Sequence, residues 1–318
     1  MTRVYTQNIK STLRTVFVWA ATVSALAACK PQPQEERDPD APLVVVATTG
    51  MIGDAVKQVA GDRAVVTTLM GPGVDPHLYK ATHGDLELLT RAEVVFYNGL
   101  LLEGKIGEVL DKLAARKPVI AVADGIAKER LREVEGFAGA YDPHIWFDVN
   151  LWKEAVTAVS QFLQQHDSLH REFYAARTRA YLSTLDSLDS AVREAIATIP
   201  ETQRVLITAH DAFGYFGDAY EIEVRGLQGL STLAEFGLRD VTELVDFIIQ
   251  RKIKAIFVES SVSPKSIQAV VEGCRQKGWN VAIGGSLYSD AMGEAGTPEG
   301  TYIGMMNANV RTIVESLK

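Results

Sequence analysis

The tripeptide Asp-Pro-His occurs twice, at Asp75-Pro76-His77 and Asp142-Pro143-His144, and each copy fixes an imidazole on a stiff turn. Proline locks its own φ and biases the residue before it away from the helical region, so such a turn lies outside regular structure. A third histidine, His210, closes the strand-like run from Arg204, and a carboxylate, Asp290, follows the run that begins at Val281. Neutral imidazole and carboxylate are familiar Zn²⁺ ligands, whereas Mn²⁺ prefers more oxygen. His77, His144, His210 and Asp290 therefore predict a divalent-metal site, Zn²⁺ favoured over Mn²⁺, assembled from four distant loops. Ordinary structural roles stay open to them. His210 can cap the turn that follows it, and Asp290 can cap a helix starting at Ala291. Asp75 and Asp142 either orient the imidazoles or shape the Asx-Pro turns.

The remaining histidines invite structural explanations. Thr82-His83-Gly84-Asp85 reads as a capping-box start, which leaves His83 exposed in a first helical turn. His166 and His170 are spaced like a helical metal chelate. They lack the glutamate of the zinc-protease motif, and they are expected on the solvated face at the start of a long helix.

The elements that must position the site alternate short β-branched runs with amphipathic stretches, the pattern of βα units and parallel sheets. Strands are expected at 43–48, 65–70, 93–97 and 119–123, and again at 205–208, 222–225, 255–259 and 280–283. Helix, strand, helix, strand recurs in both sets, with helices at 84–91 and 105–116 in the first and 241–250 and 264–277 in the second. This predicts an α/β fold of two similar parallel-sheet lobes, 43–165 and 201–318. Between them, residues 166–200 read as a bridging helix, with apolar residues at Phe173, Ala176, Ala180, Leu182, Leu185, Leu188, Val192 and Ile196. An uninterrupted helix of about 30 residues runs about 45 Å. The alternative is a break near Ser183 or Ser187. A rod of this kind predicts little lobe motion. Ligands of open parallel sheets collect outside the carboxyl ends of the strands. His77, His210 and Asp290 all follow strand runs, so the metal is expected in the cleft between lobes, cross-linking them.

The first residues address the chain. Arg3, Lys10 and Arg14 precede an apolar run from Val16 to Ala27, too short for a membrane span and suited to a signal peptide over residues 1–28. Leu26-Ala27-Ala28-Cys29 resembles a bacterial lipobox, which makes Cys29 the lipidated first residue of an extracytoplasmic, membrane-anchored protein. Residues 29–42, proline-rich and polar, are then a flexible tether. Loss of Arg3, Lys10 and Arg14 moves the formal charge from -8 by three units to -11, which argues against a nucleic-acid partner. With Cys29 lipidated, Cys274 has no partner and no disulfide is expected.

The two Asp-Pro-His turns, Thr208–Phe216, Arg225–Thr232 and Leu287–Met292 together resemble the TroA-like zinc/manganese solute-binding proteins of bacterial ABC importers, along essentially the whole mature chain. The resemblance implies a monomeric lipoprotein, not an enzyme, that captures Zn²⁺ or Mn²⁺ outside the cytoplasm and delivers it to the importer's permease. It implies ligands at His77, His144, His210 and Asp290. The chain differs from the zinc specialists in having no His- and acid-rich insertion, and from the manganese specialists in carrying His210 where those have Glu. Rival functions are a secreted zinc-dependent hydrolase, for which Glu259 is the tempting general base, a metal-independent adhesin lipoprotein, and a receptor for chelated iron or haem.

Overall fold

The computed structural model describes residues 38, 40–134, 139–234 and 236–318. The expected signal peptide, Cys29 and most of the tether lie outside the described residues. From Pro42 onward the chain is one contact unit.

The first half contains β1 (Leu43–Ala47), α1 (Gly50–Ala60), β2 (Ala64–Thr68), α2 (His83–Arg91), β3 (Val94–Tyr97), α3 (Gly107–Ala114) and β4 (Val119–Ala121). Its sheet is parallel, in the order β2-β1-β3-β4. Side-chain alternation explains the layers: Leu43, Val45 and Ala47 of β1 enter one core, while Val46 faces the other with Leu89 of α2 and Leu110 of α3. The expected capping box is present, with Thr82 and Asp85 exchanging hydrogen bonds and His83 exposed behind them.

Two helices follow, α4 (Val149–His166) and α5 (Arg171–Ala197), and then β5 (Val205–His210), α6 (Gly214–Tyr220), β6 (Glu223–Gln228), α7 (Leu238–Arg251), β7 (Ala255–Glu259), α8 (Lys265–Gln276), β8 (Ala282–Leu287) and α9 (Tyr302–Leu317). The ladders β5-β6 and β7-β8 are parallel, and β5 packs beside β7. The second lobe thus holds two two-stranded parallel ladders side by side, where the first has one four-stranded sheet. Cys274 is buried in α8 and reduced.

The long helix is continuous through Ser183 and Ser187, whose hydroxyl bonds back to the Ser183 carbonyl, but it starts later than its periodicity suggested. A 3₁₀ turn, Ser168–His170, separates it from α4. His166 therefore ends α4, stacked on Phe162, and His170 sits 2.9 Å from the Asp167 carboxylate, so the two are not neighbours on one solvated helix face. The buried stripe of α5 is Tyr174, Thr178, Tyr181, Leu185, Leu188, Val192 and Ile196, which corrects the expected Phe173, Ala176 and Ala180 at its start. Hydroxylated side chains win there because their polar ends find partners: Tyr174 donates to Asp167 at 2.6 Å and Thr178 to Ser160 at 2.6 Å.

One hydrophobic core joins both lobes: β1, α1, α4 and α5 share it with Phe257 of β7 and with Met305, Met306 and Ile313 of α9. A first-lobe carboxylate reinforces the join, since Asp54 of α1 accepts the Tyr302 amide at the N-terminus of α9 at 3.1 Å. Leu185→Ala, in the middle of this core, is expected to cost about 2–5 kcal/mol of stability, and Ala180→Ser, on the exposed face, no more than about 0.5 kcal/mol. Denaturant unfolding of the two variants checks the corrected register.

Candidate metal site

His77, His144, His210 and Asp290 converge. Their potential ligand atoms all lie within 4.8 Å of one another, and each residue is at most 2% exposed. The Nε2 atoms of His77, His144 and His210 stand 3.7, 3.5 and 3.2 Å from the Asp290 oxygens. Bonds of 2.0–2.2 Å from a tetrahedral ion place neighbouring donors about 3.4 Å apart, so these contacts already approach coordination spacing. The more decisive feature is that all three Nε2 atoms and both Asp290 oxygens are buried with no hydrogen-bond partner. Proteins seldom leave buried polar atoms unpaired, and such atoms clustered on four neighbouring residues fit a cation.

Each ligand candidate is aimed by its own local chemistry. In the first turn, Asp75 Oδ1 accepts the His77 amide at 2.8 Å, so Asp75 shapes the turn. In the second, Asp142 Oδ1 accepts the His144 amide at 2.9 Å and also meets the ring at Nδ1, 2.7 Å away, so it both shapes the turn and orients the imidazole. Asn98 donates to the Pro143 carbonyl at 2.9 Å and Tyr215 to the Asp142 carbonyl at 3.0 Å, bracing that turn from both lobes. Asn98 is itself fixed by the buried Glu103, which accepts its amide at 2.7 Å.

His210 is the last residue of β5 rather than a loop residue beyond it, which corrects the expectation that all four lie on loops. Its neighbour strand β7 ends in Glu259, whose Oε1 accepts the His210 amide at 2.8 Å and whose Oε2 lies 2.5 Å from Nδ1. Glu259 is thus the orienting carboxylate of His210, not a free base. Gly226 of β6 is required beside it, because a Cβ there would come within 2.7 Å of the His210–Asp211 backbone.

Asp290 starts no helix. It hangs beyond β8, held through its predecessors: Asn309 of α9 clasps both backbone groups of Tyr288 at 2.9 and 2.7 Å, and Trp146 donates to the Ser289 carbonyl at 3.0 Å. Trp146 also lies against the His144 ring, so one indole ties the two sites of approach together.

Electrostatics prepare the cluster for a cation. Burial lowers the His77 pKa to about 4, leaving it a neutral donor at pH 7. Burial also opposes charge on His210 and Asp290. Asp290 and Glu259 outweigh it for His210, whose pKa lies well above the usual range, and the facing imidazoles outweigh it for Asp290, which is held below the carboxylate range. A divalent ion held by His77, His144, His210 and Asp290 would take the place of any proton on His210, with the Asp290 and Glu259 carboxylates beside it to offset its charge.

Two α/β lobes on a shared core, closing three imidazoles and a carboxylate at the strand ends, define a two-lobed metal-binding fold. The family model for the zinc-uptake complex component A, periplasmic, matches residues 45–316, and the chain belongs to this family. Similar proteins include the manganese-binding lipoprotein MntA of Bacillus subtilis (strain 168), 52% identical over 88% of this chain and 91% of that one. The zinc-binding protein TroA of Treponema pallidum (strain Nichols) is 48% identical over 86% of this chain and 88% of its own length. The structure of periplasmic zinc binding protein TroA from Treponema pallidum superposes with a TM-score of 0.85 at 48% identity, over 87% of this chain and 99% of that one. The fold is that of TroA.

Sequence reading found the four clustered residues but assigned Glu259 only to a hypothetical hydrolase and missed Trp146 and Asn309. The packing of β7 beside β5, which brings Glu259 to the His210 amide, is the signal that reveals Glu259. Glu259→Gln keeps its shape and removes its charge, so affinity for a divalent transition metal is expected to fall about 10–100-fold. Calorimetric titration of chelator-treated protein measures it; unchanged affinity would leave Glu259 a backbone tie only.

Proposed function

We propose that this chain is an extracytoplasmic receptor that captures a divalent transition metal, Zn²⁺ in preference to Mn²⁺, and hands it to the permease of an ABC importer. His77, His144, His210 and Asp290 are the proposed ligands. The observation that carries this is the set of buried, unpartnered donor atoms on four residues whose ligand atoms, one from each, lie within 4.8 Å of one another. The relatives named for binding manganese or zinc support the same class of cargo. Four side chains filling the sphere leave no open position for an activated water, so the chain binds and releases rather than catalyses. It is proposed to act as a monomer.

The choice of metal follows from donor chemistry. Three imidazoles suit Zn²⁺ better than Mn²⁺, and the Irving–Williams order favours Zn²⁺ at a simple N/O site. Both Asp290 oxygens face the imidazoles, which adds oxygen character and keeps Mn²⁺ a workable cargo. In one titration series with competing Zn²⁺ and Mn²⁺, alanine at any of the four positions is expected to weaken binding at least about 100-fold with the fold retained, at more than 2.7 kcal/mol. His210→Glu exchanges nitrogen for oxygen and narrows the Zn/Mn ratio. Wild-type affinity in His77→Ala or His144→Ala would refute the ligand set.

We propose a signal peptide over 1–28, lipidation at Cys29 and a tether to residue 42, followed by lobes at 43–165 and 201–318 joined through 166–200. Among the described residues, no helix is long and apolar enough to cross a membrane. Cys29→Ser is expected to release the protein from the membrane fraction of expressing cells with metal binding unchanged; persistent membrane association would show that anchoring lies elsewhere.

A further inference from the structure

The two Asp-Pro-His turns are alike in sequence and unlike in support. From Asp142 to Phe147 every residue is buried, and the second turn is held by Asn98, Tyr215 and the Asp142–His144 ring contact. Around the first turn, Gly71, Pro72, Gly73, Leu78 and Lys80 are exposed, and only Pro76 and His77 are buried. What ties that turn to the second lobe is Thr232, in the loop after β6, whose hydroxyl donates to Asp75 Oδ2 at 2.6 Å. The other oxygen of the same carboxylate holds the His77 amide. Thr232 is presented by Gln228, the last residue of β6, whose amide donates to the Thr232 carbonyl at 2.7 Å. Gln228 in turn sits opposite His210 in the β5-β6 ladder.

All four proposed ligands are closed to solvent, so a metal reaches or leaves them only when something moves. Wide separation of the lobes would tear the core they share. A local movement that swings out one ligand on an exposed turn breaks far less. Building on the receptor function proposed above, we propose that the first Asp-Pro-His turn is the moving jaw of the site, and that Thr232 is the positioning residue that latches it. His77 is then the last ligand to engage and the first to leave, while His144, His210 and Asp290 stay in place. The latch spans the lobes through one hydroxyl, so its loss shows in the rate of metal release more than in the fold.

Two measurements test this. Zn²⁺-loaded protein is mixed with excess chelator in a stopped-flow cell, and release is followed for wild type, Thr232→Val and Thr232→Ser. Val keeps the shape and removes the hydroxyl, and it is expected to speed release at least about fivefold; Ser restores the bond and a near wild-type rate. Hydrogen exchange on the chelator-treated protein does not depend on metal: amides of 73–79 are expected to exchange at least about tenfold faster than those of 144–147. A wild-type release rate in Thr232→Val, or equal protection of the two turns, overturns the proposal. Failure of the receptor function itself would appear separately, as absence of Zn²⁺ uptake by the wild type.

Discussion

A single buried carboxylate, Asp290, facing three buried imidazoles is the interaction on which the rest of the molecule depends. Removing a carboxylate from water costs several kcal/mol, and that cost is tolerable only where positive charge stands close by. In this chain the three facing imidazoles supply it, and Glu259 on the far side of His210 raises that ring's affinity for positive charge. The arrangement is poised for exchange, because a divalent ion provides more positive charge at the same point and relieves the unpartnered imidazole nitrogens and carboxylate oxygens together. On the proposed reading, the affinity of the site would originate in a burial cost that the fold has already met.

That cost is met by the two-lobed architecture. Each lobe alone offers only half of the proposed ligand set: His77 and His144 on turns of the first lobe, His210 at the end of β5 and Asp290 beyond β8 in the second. The shared core through α1, α4, α5 and α9 fixes their separation. Both lobes are built on parallel strands, and His210 at the end of β5 and Asp290 beyond β8 meet His77 and His144 of the first lobe. Cross-lobe bonds then set the finer geometry, with Trp146 reaching Ser289, Tyr215 reaching Asp142 and Thr232 reaching Asp75.

Much of this was legible in the sequence because it rests on local rules. Proline fixes the two turns, short β-branched runs mark the strands, and the Thr82 capping box names a helix start. What was not legible depends on tertiary pairing. Asn280–Ile283 read as a strand, yet β8 begins at Ala282 and runs to Leu287, because its register is set by β7 rather than by its own composition. Tyr174 and Tyr181 look amphipathic in sequence, and only the positions of Asp167 and Asp54 explain why they, and not Phe173 and Ala180, face the core. The inequality of two identical tripeptides is the clearest such case, since it lies wholly in what surrounds them.

The most direct test of the central claim is X-ray absorption at the metal edge of Zn²⁺-loaded protein. Coordination by these side chains predicts three imidazole nitrogens with one or two carboxylate oxygens at about 2.0–2.2 Å, with the outer-ring scattering that imidazoles give. A shell of six oxygens without imidazole scattering, the signature of a hydrated or surface-bound ion, would contradict it.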